Sequence, residues 1–437
     1  MVIGNVLQSL SGSVNSIYLG QMLGVKAMAA ASVFYPILFF FIALVIGLGT
    51  GASVLIGQAW GANNLERVKA LMGTALVAGA VFGLVVAVVG GIFAPALLQA
   101  LGTPPDILEE ATRYARTMLW AAPGLFLFLL TTSMLRGVGD TLSPLLTLVI
   151  STAVGLLVTP ALIRGWLGLP QVGVASAAWG TFCAYIVAMC WLGWRLRSKL
   201  YLGRSHPMAP DRDLLQHLRI DRSLLKTILK IGIPTGLQMV VFALAEIVLL
   251  SMVTAYGSHA TAAYGGVNQI INYVQFPALA IAITCSILSA QSIGAGNTER
   301  LSSIVRTGLV LNLLVTGTLV LLGYAFSWPI LHLFIADETV VGTAQGLLHT
   351  MLWSCVLLGA SGAVSGVMRA SGTVLVPTLI SMGSILLVEI PVAYGLGQHL
   401  GLPGIWYGYP AAFLSSLLLQ TCYYHLVWKK RPIKRLV

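Results

Sequence analysis

Two glutamates, Glu246 in FALAEIVLL and Glu389 in LLVEIPVAY, stand inside long apolar runs of this 437-residue chain. The other acidic residues fall between such runs: Glu66, Asp106, Glu109, Glu110, Asp140, Asp211, Asp213, Asp221, Glu299, Asp337 and Glu338. A charge at the centre of a membrane helix costs about 2.5–3.5 kcal/mol on insertion scales. Carboxyls kept at that cost are candidates for reversible chemistry, taking up a proton or a sodium ion and releasing it. For Glu389 a structural role competes, because it precedes Pro391 and its carboxyl could satisfy backbone groups freed at a proline kink.

A second polar pattern lies in GVNQIINYVQFPAL. Asn268, Asn272 and Gln275 line one helical face, with Gln269 and Tyr273 beside it. Such a stripe faces protein or water, not lipid, so cavity lining and helix–helix hydrogen bonding both fit. The first apolar run carries Asn5, Gln8, Ser9, Ser13 and Asn15, and the second carries Tyr35 and Phe39–Phe41. These rings could stack on flat organic cations or simply pack. The expected substrate-cavity set is Gln8, Asn15, Tyr35, Asn268, Asn272, Tyr273 and Gln275.

Other patterns carry less. GLGTG at 47–51 follows an apolar helix and no strand, which argues against a nucleotide loop. Gly79 and Gly83 form a GxxxG helix-packing motif. Arg136 and Arg369 fall at helix ends, where headgroup anchoring or carbonyl capping is expected, and His349 is expected in the core as a hydrogen-bonded residue. The five cysteines sit in apolar runs as small core residues. No HExxH, CxxC or GxSxG occurs. An enzyme, a bound metal and an organic cofactor are therefore not expected.

The elements that position these residues follow from composition. Hydrophobic residues make up 57% of the chain and charged ones 8%, against about 25% charged in soluble domains. Runs such as ALVAGAVFGLVVAVVGGIFAPALL are long enough to cross a ~30 Å hydrocarbon core as helices. A β-barrel would alternate polar and apolar residues. The reading is an all-α membrane protein with twelve spans near 2–23, 31–57, 70–98, 113–135, 142–164, 171–195, 230–255, 262–289, 303–326, 345–368, 374–397 and 403–427.

The chain says much the same thing twice. GQAWGANNLERVK and AQSIGAGNTERLS match with Gln58 and Gln291 233 residues apart, and LRGVGDTLSPLL matches MRASGTVLVPTL at the same offset. Six spans separate the copies, so both enter the membrane from one side as parallel repeats with a central cleft expected between them. The expected domains are an N-terminal lobe (1–195), a basic linker (196–229), a C-terminal lobe (230–428) and a basic tail (429–437). On the linker side fall 20 of the 24 basic residues; the other side has Lys26, Arg113, Arg116 and Arg164. That bias predicts both termini in the cytoplasm of a multi-pass cell (inner) membrane protein. The net charge of +11 is a topology signal, so no nucleic-acid partner is expected. The chain begins inside its first span, and no cleavable signal is expected. From the ends facing the linker, Glu246 and Glu389 each lie 16 residues along their helices, or ~24 Å deep.

At these motifs the sequence resembles the multidrug and toxic compound extrusion (MATE) family of secondary transporters. GLGTGASVLIGQAWGANN, LRGVGDTLSPLL, GIPTGLQ and EIPVAYGLGQHLGLPGIW carry the resemblance, which spans essentially the whole chain. It implies a V-shaped pair of six-helix lobes exporting amphipathic compounds against inward proton or sodium flow. The sequence departs from the family where many members have a first-helix aspartate, here Asn15. It departs again in the fifth helix, where Gly155 and Thr159 precede Pro160. The seventh-helix glutamate of one branch falls about a turn earlier, at Phe242. Together these readings predict a secondary antiporter, working as a monomer, that exports amphipathic, cationic organic compounds by rocking-type alternating access. It would be coupled through Glu246 and Glu389. The runner-up is a flippase for lipid-linked saccharides, which would call for arginines inside the cleft to hold pyrophosphate; every Arg and Lys here maps to a helix end or loop.

Overall fold

The computed structural model describes residues 3–436 apart from 5, 8–13, 15–16, 169–170, 199–205, 207, 211–213, 215 and 336, and gives only the backbone at 20, 25 and 167. The described residues are helical, with short connections and no strand. A π-helical turn, Leu19–Leu23, closes the first expected span. There follow α1 (Val25–Gly61), α2 (Leu65–Val85), α3 (Gly91–Ala100), α4 (Pro105–Gly137), α5 (Leu142–Arg164) and α6 (Ala175–Arg197). After the linker come α7 (Arg222–Thr254), α8 (Ser258–Gly294), α9 (Arg300–Ala325), α10 (Ser327–His332), α11 (Glu338–Met351) and α12 (Ser354–Ala370). The chain closes with α13 (Leu375–Ser384), α14 (Ile390–Leu400), α15 (Leu402–Ile405) and α16 (Gly408–Leu426). A π turn, Val86–Gly90, joins α2 to α3, and another, Ile385–Glu389, joins α13 to α14. Among the described residues ten helices are long and apolar enough to cross a membrane. α16, with 19 residues, is a further long helix, and much of the expected first span, including 8–13, lies outside the described residues.

Polar caps set where three of the helices begin. Asn64 accepts a hydrogen bond from the Arg67 amide and caps α2. Asp221 accepts from the Ser223 and Leu224 amides and from the Ser223 hydroxyl, so α7 starts at Arg222, earlier than expected. Asp337 does the same for α11 through Thr339. These hydroxyl and amide donors favour the ionised form and hold both exposed carboxyls below the usual range.

The repeat is written in the backbone. α1 and α8 are both 37 residues long, and their ends lie one repeat offset apart, as do the starts of α4 and α11, α5 and α13, and α6 and α16. Left-handed turns recur at the same offset, Gly139 (φ 91°) with Gly372 (φ 83°) and Asn63 (φ 54°) with Gly296 (φ 81°). Glycine adopts that conformation without strain and asparagine tolerates it better than most residues. Each copy has its own irregularity, the first being interrupted by the π turn Val86–Gly90 where α9 of the second runs unbroken. The counterpart of the unbroken α4 is interrupted between Met351 and Ser354 into α11 and α12.

The chain forms two compact units, one of Ile3–Trp60 with Asn64–Ile233, the other of Gly61–Asn63 with Pro234–Val437. Within the first, α2 lies close against α4. A Cβ on Gly83 would come 2.7 Å from the Pro123 Cα, and one on Gly79 would overlap Leu130. Such close approach is what holds helices together in lipid, where apolar burial alone gains nothing over acyl chains. In the second unit the core joins α7, α8, α11 and α16 through Leu249, Tyr264, Ile271, Leu348 and Tyr409.

The linker folds back on the first unit. Thr74 accepts from the Asp221 amide and donates to the Arg219 carbonyl. His206 is buried, its Nδ1 accepting from the Met208 amide and its Nε2 lying 3.6 Å from Asp140 Oδ2. Burial lowers the His206 pKa, opposed by the Asp140 carboxylate. Asp140 Oδ1 meanwhile accepts from the Leu142 and Ser143 amides at the start of α5. The loop that answers it in the second unit is tied differently, by Trp428 Nε1 donating to Ser371 Oγ at 3.0 Å.

Candidate coupling site in the second unit

Glu246 sits eight residues from the end of α7 and is half-buried. Its Oε2 accepts from the Tyr264 hydroxyl of α8 at 2.6 Å and from the Tyr409 hydroxyl of α16 at 2.9 Å. The two tyrosine oxygens are themselves 2.7 Å apart. Three oxygens from three helices thus form a closed triangle. Asn268, one turn beyond Tyr264 on the same face of α8, lies near enough to the Glu246 carboxyl to interact with it. The Tyr264 ring is fixed by stacking on Trp406, with centroids 5.8 Å apart and planes 10° from parallel.

Glu389 is the last residue of the π turn Ile385–Glu389 and only 1% exposed. Pro391 cannot donate to the carbonyl one turn before it, and a π turn at this point is a recognised response to such an interruption. Neither Glu389 oxygen has a hydrogen-bond partner, so its carboxyl does not tie down the kink. It lies close enough to Glu246, Tyr264 and Tyr409 to interact with each electrostatically. A Cβ on Gly408 would come 2.9 Å from the Glu389 carbonyl oxygen, so the start of α16 is seated directly on this turn.

Proton counting gives this arrangement its chemistry. Each edge of the triangle needs one proton to be a hydrogen bond, and two tyrosines supply two. With both hydroxyls donating to a carboxylate, the edge between the tyrosines has none. If Glu246 is the neutral acid, three O–H groups can run head to tail and close all three edges. Glu389 adds a second carboxyl with no donor. A buried carboxylate without a partner is expensive, so its inexpensive states are the protonated acid or a carboxylate holding a cation.

The expected cavity residues are not all drawn together. Asn268 joins Glu246, whereas Gln275 reaches Cys355 of α12. Asn272 is exposed and Tyr273 half-buried, its ring packed edge-on against Phe276 at 5.9 Å. Tyr35, on α1 in the first unit, is 65% exposed. Gln8 and Asn15 lie outside the described residues. The Phe41 ring belongs to a packed series with Phe82 and Phe126. Arg136 and Arg369 donate to Ser133 and Ser365 of their own helices at 2.7 and 3.0 Å. His349 is exposed and packs edge-on against Tyr324, contrary to the core position expected from its apolar neighbours. Its helix α11 is amphipathic, and the apolar residues beside it, Leu347 and Leu348, take the buried face.

Sequence reasoning missed Tyr264 and Tyr409. A tyrosine in an apolar run looks like packing or an interface anchor. The available signal was the i, i+4 spacing of Tyr264 and Asn268, which extends the polar stripe of α8 by one turn toward Glu246.

The family model MatE matches residues 1–161 and 234–395. The probable multidrug resistance protein YoeA of Bacillus subtilis (strain 168) is 43% identical over 439 residues, covering 100% of this chain and 94% of YoeA. The probable multidrug resistance protein YpnP of the same organism is 25% identical, covering 97% and 92%. A crystal structure of MATE in the bent conformation superposes with a TM-score of 0.87 at 22% identity, covering 98% of this chain and 92% of that one. That likeness gives the chain a twelve-helix, two-lobed, all-α membrane fold.

Proposed function

Given that the chain belongs to the MATE family of multi-pass membrane transporters, we propose that it exports amphipathic, cationic organic compounds in exchange for protons taken up at Glu246. The observation that carries this reading is the oxygen triangle of Glu246, Tyr264 and Tyr409, which gains a hydrogen bond when the acid is protonated. Relatives named as multidrug resistance proteins support the class of cargo.

The residues divide the work as follows. Glu246 holds and releases the proton. Tyr264 and Tyr409 orient its carboxyl and register its state through the edge between them. Glu389 is a second acceptor whose charge opposes ionisation of Glu246, so the pair favours carrying one negative charge over two. A cationic substrate reaching this region substitutes for the proton, and charge balance then makes binding of the two exclusive. Alternating access moves one inward and the other outward. The basic excess on the linker side supports cytoplasmic termini, and a monomer suffices because the carboxyls and tyrosines come from one unit.

Purified protein in liposomes, given an imposed proton or sodium gradient and a fluorescent organic cation, tests this. The expected result is export driven by the proton gradient and lost in Glu246→Gln, which still binds the dye. Unimpaired exchange by Glu246→Gln would remove the role assigned to this carboxyl.

A further inference from the structure

The first unit holds a large cavity unrelated to the carboxyl pair. It has a volume of about 950 Å³ and is walled by α3, α4 and α6 at the ends remote from the linker. α4, with 33 residues, is ~50 Å long at ~1.5 Å per residue, some 20 Å more than the ~30 Å hydrocarbon core. Its last residue, Gly137, marks the linker-side surface, so the opposite hydrocarbon boundary falls near Thr117.

Four side chains of α4 that line this cavity are ordered across that boundary: Glu109, Arg113, Arg116 and Trp120. Their spacing of four, three and four puts them on one helical face. Trp120 lies just within the hydrocarbon and is 63% exposed, and Trp179 and Phe182 of α6 continue the apolar wall, packed edge-on at 5.7 Å. Arg113 and Arg116 lie just outside, both exposed. Arg116 is braced by its Nε donating to the Gly91 carbonyl at 3.1 Å, which leaves its terminal nitrogens to face a ligand. Glu109 lies one turn farther out. Glu109 and Arg113 have the i, i+4 spacing that pairs charges on helices, yet among the described residues neither has an ion-pair partner. Two of only four basic residues on this side of the membrane are thus gathered in one groove.

We propose that this groove is a headgroup-selective site for a phospholipid with a primary amine, of the phosphatidylethanolamine type, in the leaflet opposite the linker. The order along α4 reproduces the order along such a lipid. The acyl chain lies on Trp120, Trp179 and Phe182, the phosphate bridges the two guanidiniums, and the ammonium meets Glu109. A glycerol headgroup leaves Glu109 unpaired, and a choline headgroup offers its carboxylate no N–H donor.

Native mass spectrometry of the detergent-purified full chain tests this, with ethanolamine, glycerol and choline phospholipids of matched acyl chains and with free phosphoethanolamine. The wild type is expected to retain the ethanolamine lipid several-fold better than either other lipid, with little competition from phosphoethanolamine. Glu109→Gln should level the ethanolamine and glycerol lipids, and Arg113→Gln with Arg116→Gln should lower retention of all three. Arg164→Gln, on the same side of the membrane but outside the groove, should change nothing; a thermal melt confirms that each variant is folded. Equal retention of the ethanolamine and glycerol lipids by the wild type, or an undiminished preference in Glu109→Gln, overturns the proposal. Full competition by phosphoethanolamine would instead make this a site for a soluble phosphate ester.

Discussion

The two halves of this chain share helix starts and left-handed turns at a constant offset, yet their polar chemistry has diverged. At the positions of Glu246, Tyr264, Glu389 and Tyr409, the first half carries Ser13, Ala31, Leu156 and Ser176. Trp406, which stacks on Tyr264, is answered by Gly173, and Asn268 by Tyr35. Duplication has preserved the helix ends and the left-handed turns, among them Gly24 with Gly257 and Gly139 with Gly372. The carboxyls and their tyrosines occupy one copy alone. The backbone follows this division. The second copy is broken at residues 352–353 and has a π turn at Glu389, where the first copy runs as the continuous helices α4 and α5. Of these departures, the π turn ends on the unpaired acid itself.

If the second half alone carries coupling, the largest effect should come from Glu246→Gln, with gradient-driven transport falling to the level of empty liposomes while dye binding persists. Next is the reverse experiment, Leu156→Glu, which gives the first half the carboxyl it lacks. Without a tyrosine partner this should cost about 2.5–3.5 kcal/mol and lower the melting temperature in detergent without raising transport. A gain in coupled transport would break the asymmetry. Tyr409→Phe removes two edges of the triangle, those to Glu246 and to Tyr264, and at about 1 kcal/mol for each hydrogen bond it should slow exchange by about five- to thirtyfold and shift its pH profile. A rate change with an unmoved pH profile would reduce Tyr409 to a packing role.

The smallest effect concerns the straps that close each half. His206 is buried with its pKa lowered, so the undocked linker binds more protons than the docked one. Docking is therefore fully favoured above pH ~6.5 and weakens as pH falls through the depressed value. Relative to the intrinsic rate at each pH, amide exchange across 206–221 should speed up on acidification by a factor worth less than about 1 kcal/mol, and His206→Gln should remove that change in protection. The tail of the second half, held by Trp428 on Ser371, should not respond.

Much of this was legible in the sequence. Apolar runs and the 233-residue offset gave the spans and the duplication, and rarity alone singled out Glu246 and Glu389. The tyrosines were not legible, because Tyr409 meets Glu246 across 163 residues and local pattern carries no information about such closure. Comparison of the copies held a clue, since Tyr264 faces Ala31 and Tyr409 faces Ser176 at equivalent positions. The π turn at Glu389 was half-legible: Pro391 announces an interruption but not its form. The expected cavity stripe on α8 divided because helical spacing aligns residues without saying which neighbour each one meets. Asn268 found Glu246, and Gln275 found Cys355.

Proton release on substrate binding tests the central claim most directly. Purified protein in weakly buffered detergent, mixed with an organic cation and a pH-sensitive dye, should release a proton for each cation bound, and Glu246→Gln should bind without release. Binding by the wild type with no proton released, or the same release from Glu246→Gln, would contradict the account.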